Sequence, residues 1–307
     1  MLVVGAKGFV GASLVRSLLR RGHRVVSLEL RDGPGRLADV AADVEWRTGD
    51  CADGEVLAAA IGRAGVDGIY FGPFYRRAPG QPSVTAELDV MAAAAWRTFQ
   101  LARVLDALRI LFPSSTAVHG PQRPGTPPVH ETSQVWPHGV YGAAKLLTER
   151  VGEETNLALG RNAITSVRLP AVYGPGAAVA SRRVNVPAVA AARGETGRVD
   201  YRPEARVCIA HVHDTGEMLA DLFETAGPAH GVYELGGLDV SFADIGSCVA
   251  GLVPEARTVF GEDEVPILPH AVDGSRLAAE IGRKHRDLVE GMRSVVEYER
   301  GEAHVPA

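Results

Sequence analysis

The 307-residue chain predicts an α/β fold, a doubly wound parallel sheet with a smaller C-terminal lobe, and three observations predict it. Short apolar runs alternate with helical patterns throughout the first half. A glycine string follows the first apolar run and opens the first helical stretch. After Gly174 the alternation loosens, and Gly and Pro recur.

The strand-like runs are Leu2–Val4, Val25–Leu30, Val66–Phe71, Leu108–Phe112 and Ile164–Leu169. They are short and largely apolar, as strands covered on both faces are. Between them lie the helical stretches Val10–Arg20, Glu55–Ala64, Ala86–Leu105 and Gly142–Leu159. Strand, helix, strand implies right-handed crossovers and a parallel sheet. The later helices are shorter: Val186–Ala192, Thr215–Thr225, Phe242–Leu252 and Arg276–Ile281. Residues 1–173, to which 205–230 return, are therefore assigned to a first domain, and residues 174–204 and 231–307 to a second lobe. The motifs and the resemblance given below make them the dinucleotide-binding domain and the substrate-binding lobe. The loop Gly120–Pro137 carries five prolines between a strand and a helix, and loops of that length are usually functional.

Composition excludes several classes. Hydrophobic residues are 46% and charged residues 22%, as in globular proteins. Pro, Gly or a charge interrupts every apolar run before about 18 residues, so no transmembrane helix is expected. The net charge of −5 argues against nucleic acid as a partner. The N-terminus has no basic n-region or apolar h-region, and Cys51, Cys208 and Cys248 form no CxxC pair. A reducing, cytoplasmic location without a disulfide framework or metal site is expected. Only Lys7, Lys145 and Lys284 are lysines, so a lysine inside a motif carries weight.

The first motif is Gly5-Ala6-Lys7-Gly8-Phe9-Val10-Gly11. Glycines let the backbone turn tightly and approach a pyrophosphate, and the helix N-terminus presents free N–H groups. Glu29 ends the next strand, where an acid can bond ribose hydroxyls. A Rossmann-like domain binding NAD rather than NADP is the reading. Lys7 and Arg31 are the two cations that could reach a 2′-phosphate instead. The second motif, Tyr141-Gly-Ala-Ala-Lys145, puts a phenol and an ammonium on one helix face. Upstream, Phe112-Pro-Ser114-Ser115-Thr116-Ala-Val-His119-Gly120 places hydroxyls just past a strand end, where such sheets hold ligands. His211-x-His213 would put two imidazoles on one face of a strand, and the reading there is structural.

These motifs together resemble the extended short-chain dehydrogenase/reductase family, of the NAD-dependent nucleotide-sugar epimerase/dehydratase type. Gly49-Asp50, Arg168-Leu-Pro-Ala-Val-Tyr-Gly-Pro175, Ala210-His-Val-His-Asp214 and Asp273-Gly-Ser-Arg276 follow in the family's order. The resemblance implies catalytic roles for Ser115, Tyr141 and Lys145. It implies a cofactor site made of Gly5, Gly8, Phe9, Val10, Gly11, Glu29, Arg31, Asp50, Cys51, Gly72, Tyr141, Lys145, Leu169 and Pro170. Asp50 and the Cys51 backbone would hold the adenine, and Leu169 and Pro170 would lie near the nicotinamide. It also implies a homodimer through the helices Ala86–Leu105 and Gly142–Leu159.

The chain departs from the family at Phe71-Gly72-Pro73-Phe74, at Asp89 in place of a helix asparagine, and at His119 in place of a tyrosine. Thr116 and Ala117 stand where dehydratases of the family carry an acid, which leaves epimerisation, dehydrogenation or reduction. The expected function is nucleotide-sugar epimerisation. The alternatives are a dehydrogenase or reductase of a smaller sugar, sugar acid or other secondary alcohol, and a non-catalytic dinucleotide-binding sensor. The substrate is expected to be a small anionic molecule, bound by Ser115, Thr116, Arg182, Arg183 and Arg206, because guanidinium forks suit a diphosphate or carboxylate.

Overall fold

The computed structural model describes residues 1–73, 88–101, 103–104, 108–122, 125–177, 182–263 and 268–302, with the side chains of Arg63, Ala64 and Arg182 outside the description. Phe74, Ala86 and Leu105 also lie outside the described residues.

Seven parallel strands form the large sheet: β1 (Leu2–Val4), β2 (Val25–Glu29), β3 (Val44–Thr48), β4 (Gly68–Phe71), β5 (Arg109–Ser115), β6 (Ile164–Leu169) and β10 (Val232–Glu234), in the order β10-β6-β5-β4-β1-β2-β3. Period-2 alternation divides the strand side chains between two cores. Val3 and Tyr70 face a core closed by α1 (Phe9–Arg20) and α6 (Val212–Glu224), with Leu14, Leu18, Leu219 and Leu222. Leu2, Val4, Ile69 and Phe71 face a second core closed by α2 (Gly54–Ala64) and α3 (Ala94–Leu101). The long helix α4 (Gly139–Leu159) covers the same face beside α3. Strand order reverses between β1 and β4, and a ligand cleft belongs beyond their C-terminal ends.

The other strands are β7 (Ala171–Tyr173), β8 (Thr196–Tyr201), β9 (Arg206–His211), β11 (Leu238–Ser241) and β12 (Arg257–Asp263). They form a three-stranded sheet, β11-β9-β7, and a two-stranded one, β12-β8. Helices α5 (Arg182–Ala192), α7 (Phe242–Leu252) and α9 (Leu288–Glu299) pack with them around Phe242, Ile245, Val249, Met292 and Val295. The short α8 (Ser275–Ile281) buries Leu277 against the first core.

The structure corrects the sequence reading in four places. β10 belongs to the large sheet, not to the lobe assigned to 231–307, because Val232–Glu234 pair in parallel with Ser166–Arg168. β9 joins the small sheet, so the return of 205–230 to the large sheet is made by α6, which packs on α1. His211 ends β9 and caps α6 by accepting the His213 N–H, so His213 stands on a helix and not on the same strand face. The described part of the stretch read as the helix Ala86–Leu105 is not one regular helix: a π turn over Asp89–Ala93, closed by Ala94 N–H to Asp89 carbonyl, precedes α3. The periodicity also passed over β3, the later small strands and α9, whose patterns are too short or too mixed in polarity to read alone.

The loop Gly120–Pro137, of which 123–124 lie outside the described residues, is stitched to the C-terminal segment. Gln122 Oε1 accepts the His270 and Ala271 N–H groups at 3.1 and 3.0 Å, and Val129 bridges Val272.

Candidate functional site

The Gly5 turn and the end of β4 touch at the point of strand reversal. Gly5 has φ +84°, and a Cβ there would lie 2.7 Å from the Gly72 carbonyl oxygen. A Cβ on Gly11 would lie 2.2 Å from the Gly5 carbonyl oxygen. Gly72 donates to the Val4 carbonyl at 3.0 Å and is itself closed in by the Tyr70 ring. Helix α1 therefore starts at Phe9 and Val10 tight against the turn, and no side chain caps its N-terminus. Bare N–H groups at a helix start, with backbone crowding that only glycine tolerates, fit a pyrophosphate. A cavity of about 220 Å³ opens beside the same helix, lined by Phe9, Ser13, Arg16, Arg36 and His213 among others and not by Ser115, Tyr141 or Lys145.

Glu29 ends β2 half-buried and accepts the Lys7 backbone N–H at 2.7 Å. Burial pushes its carboxyl above the usual range, against the pull of that hydrogen bond. The Lys7 ammonium donates to the Arg31 and Asp32 carbonyls and lies 5.8 Å over the Trp46 ring. Arg31 is exposed beside it. Asp50 accepts the Ala52 N–H at 2.8 Å and stays exposed, while Cys51 is buried and its thiol is pushed up to about 11, first by burial and then by the Asp50 charge.

Ser115 is the last residue of β5, opposite Leu169 on β6, with buried Pro170 next. Its Oγ accepts the Ala117 N–H at 3.2 Å and caps a single 3₁₀ turn over Thr116–Val118. The Thr116 hydroxyl is fully buried, with no partner among the described residues. Helix α4 begins against this turn, since a Cβ on Gly142 would lie 2.7 Å from the Ala117 carbonyl oxygen. That close approach brings Tyr141 to the β5 end. One turn on, the Lys145 ammonium lies 5.8 Å from the Tyr141 ring centre and 4.5 Å over Phe112, and donates to the Pro113 carbonyl at 2.7 Å. Lys145 is 4% exposed, and burial pushes its ammonium down to about 7, with the Glu149 charge opposing.

Beneath lies a charged cluster that sequence reasoning missed. Ser114, Arg168 and Glu234 stand in register across β5, β6 and β10. Arg168 bonds both Glu149 oxygens, by Nε at 3.0 Å and Nη2 at 2.7 Å, and reaches Glu234 by Nη1 at 3.0 Å. Ser114 donates to Glu149, and His119 Nε2 meets Glu234 at 2.7 Å. Glu149, four residues past Lys145 on the same helix face, was legible in the helix period. Glu234 was not, because only the sheet order brings it beside Arg168. Removing one partner of such a buried pair costs about 3–5 kcal/mol.

Of the three arginines expected at an anion site, two have partners within their own lobe. Arg183 donates to the Tyr201 hydroxyl and stacks over its ring at 5.4 Å, and Arg206 is bound to Asp239 at 2.8 Å on the adjoining strand. Both guanidinium groups are drawn to partners within their own lobe. Arg182 opens α5, and its side chain lies outside the described residues.

Against known proteins, residues 1–236 match the family model described as NAD dependent epimerase/dehydratase family. Over 87 residues, 28% of the chain, it is 40% identical to a 3 beta-hydroxysteroid dehydrogenase/Delta 5-->4-isomerase of Mycobacterium tuberculosis. Over 160 residues, 52% of the chain, it is 26% identical to a UDP-glucose 4-epimerase of Lacticaseibacillus casei. The chain spans 22% and 47% of the lengths of those two relatives. Its fold resembles the GalE-like L-threonine dehydrogenase from Cupriavidus necator, with a TM-score of 0.83 and 23% identity over 95% of this chain and 97% of that one. It also resembles the Thermus thermophilus UDP-glucose 4-epimerase in complex with NAD, with a TM-score of 0.80 and 21% identity over 98% and 99%.

Proposed function

Because the chain belongs to the NAD-dependent epimerase/dehydratase family, we propose that it is an NAD-dependent enzyme that moves hydride at a secondary alcohol carbon. The supporting observation is the Tyr141–Lys145 pair on one helix face, set against the β5 end that carries Ser115. When bound, NAD supplies the hydride acceptor. The glycine turn, the α1 start and Glu29 would hold it, with Arg31, Asp50, Cys51, Gly72, Leu169 and Pro170 around it. Tyr141 takes the hydroxyl proton as a phenolate, and Ser115 Oγ hydrogen-bonds the reacting oxygen. Free tyrosine titrates near 10, so working near pH 7 asks for about 4 kcal/mol of charge stabilisation. The Lys145 ammonium is the nearest source.

Two readings of the outcome divide on substrate. Nucleotide-sugar epimerisation needs an anion site, and of the expected guanidinium set the Arg182 side chain lies outside the described residues. The engagement of Arg183 and Arg206 favours the second reading, a dehydrogenase or reductase of a smaller sugar, sugar acid or other secondary alcohol. Incubation with NAD and a panel of such alcohols and nucleotide sugars separates them. A dehydrogenase accumulates reduced nicotinamide. An epimerase yields an isomer with no net absorbance change. No product with any member of the panel would overturn both.

NAD is expected to bind at least about tenfold more tightly than NADP, because the Glu29 carboxylate repels a 2′-phosphate and the Lys7 ammonium is already turned to two carbonyls. Equal or tighter NADP binding by calorimetry would reverse this assignment.

A homodimer is proposed through α3 and α4. Trp96, Leu147 and Leu157 on these helices are 51%, 54% and 76% exposed, which is apolar surface that a second copy would cover. Light scattering is expected to give twice the chain mass at micromolar concentration, and Trp96→Glu with Leu157→Glu to give the monomer. Among the described residues no helix is long and apolar enough to cross a membrane.

A further inference from the structure

Two carboxylates and one guanidinium are buried together beneath the Tyr141–Lys145 pair. Glu149 is 1% exposed, Arg168 2% and Glu234 0%. Taken alone, the three carry one excess negative charge. The Lys145 ammonium, buried one helical turn from Glu149, brings the four groups to zero. We propose that Glu149, held by Arg168 and backed by Glu234, is the positioning residue that keeps the buried Lys145 side chain charged and in place beside Tyr141.

The geometry supports this in three ways. Glu149 cannot swing toward Lys145, because Arg168 grips both of its oxygens and Ser114 donates to it as well. Its charge therefore acts through space along the helix, while the ammonium itself is aimed at the Pro113 carbonyl. Arg168 is shared between two carboxylates, Nε and Nη2 on Glu149 and Nη1 on Glu234, so its single charge leaves one negative charge of the pair unmatched. The pairing depends on register: Ser114 and Glu234 both stand opposite Arg168. In a buried site such charges are little screened, so a carboxylate two groups away still counts.

The groups that face this cluster come from every element packed on it. From β5 they are Phe112, the Pro113 carbonyl and Ser114, and from α4 they are Tyr141 and Glu149. The turn after β5 contributes His119 on Glu234. The following loop contributes the Glu131 carbonyl on Arg168, while the Glu131 carboxylate is occupied by the Glu234 N–H and by Arg276 at 3.4 Å. Burial has pushed Lys145 down to about 7, and Glu149 is the charge that resists the shift.

The catalytic side of the inference rests on the Tyr141–Lys145 reading above; the charge balance does not, and the test reads the balance directly. Below about pH 7, Lys145 is protonated in both folded and unfolded chains, and the burial penalty is constant. Above it, the folded chain binds fewer protons than the unfolded one, so stability rises with pH toward the ordinary lysine range. Melting temperature of the cofactor-free chain from pH 5 to 10 should show that rise, and Lys145→Met should lack it. In Glu149→Gln the rise should begin at least about one pH unit lower. In Glu234→Gln, which keeps Glu149 and its guanidinium bonds, it should begin about half a unit lower. Where turnover is found, both variants should lower kcat with little change in the KM for NAD, and Glu149→Asp should restore part of it. A rise beginning at the same pH in Glu234→Gln and in the unaltered chain overturns the proposal, whether or not Glu149→Gln folds. Failure of the alcohol panel alone would leave these melting curves standing and would overturn only the reaction assigned to Tyr141.

Discussion

Tyr141→Phe is expected to lower kcat by about 10²- to 10⁴-fold while NAD affinity stays within about threefold. The ring is expected to keep its place, because the start of α4 is set by the close approach of Gly142 to the Ala117 carbonyl. Only the group that exchanges the proton is lost. Lys145→Ala should differ in kind. It empties a fully buried site, frees the Pro113 carbonyl and leaves the Glu149–Arg168–Glu234 cluster with its negative charge unopposed. Rate and cofactor binding should then fall together. Single-turnover rates and NAD titrations on both variants are the check. A Tyr141→Phe protein with more than a few per cent of the original kcat would mean that another group moves the proton.

The second large effect is expected at the glycine turn. Gly11→Ala places a Cβ 2.2 Å from the Gly5 carbonyl oxygen, a backbone atom that cannot turn aside. The turn and the first residues of α1 must separate, and the N–H groups that would meet a pyrophosphate lose their common direction. NAD affinity should fall by about a hundredfold or more, which corresponds to about 2.7 kcal/mol. Gly62→Ala is the control. It lies inside α2 with nothing within 4 Å of the added carbon, and should leave binding unchanged and raise stability slightly. If Gly11→Ala binds NAD as well as Gly62→Ala does, the cofactor does not lie across this turn.

The sequence by itself determined five of the seven strands of the large sheet, the glycine turn and the helix that carries Tyr141 and Lys145. Each is written in local chemistry. Leu2–Val4 and Ile164–Leu169 are strand-like runs that end at Gly or Pro, and their bounds in the structure are those of the sequence reading. Gly5 in the turn and Gly11 in the first turn of α1 stand where a side chain would strike backbone, and Gly8 between them stands where it would crowd it. Tyr141 and Lys145 share a face because the helix repeats every 3.6 residues.

Only the tertiary structure decided how charges far apart in sequence are paired. Glu149, Arg168 and Glu234 span 86 positions and meet because β10 enters the large sheet beside β6, a strand order that no local pattern encodes. Arg183 and Arg206, read as anion ligands from their residue type, bond to Tyr201 and Asp239, because α5 packs on β8 and β11 pairs with β9. An arginine's residue type states what it can bind. Which partner lies within reach is a matter of long-range register, and register is set by the whole core.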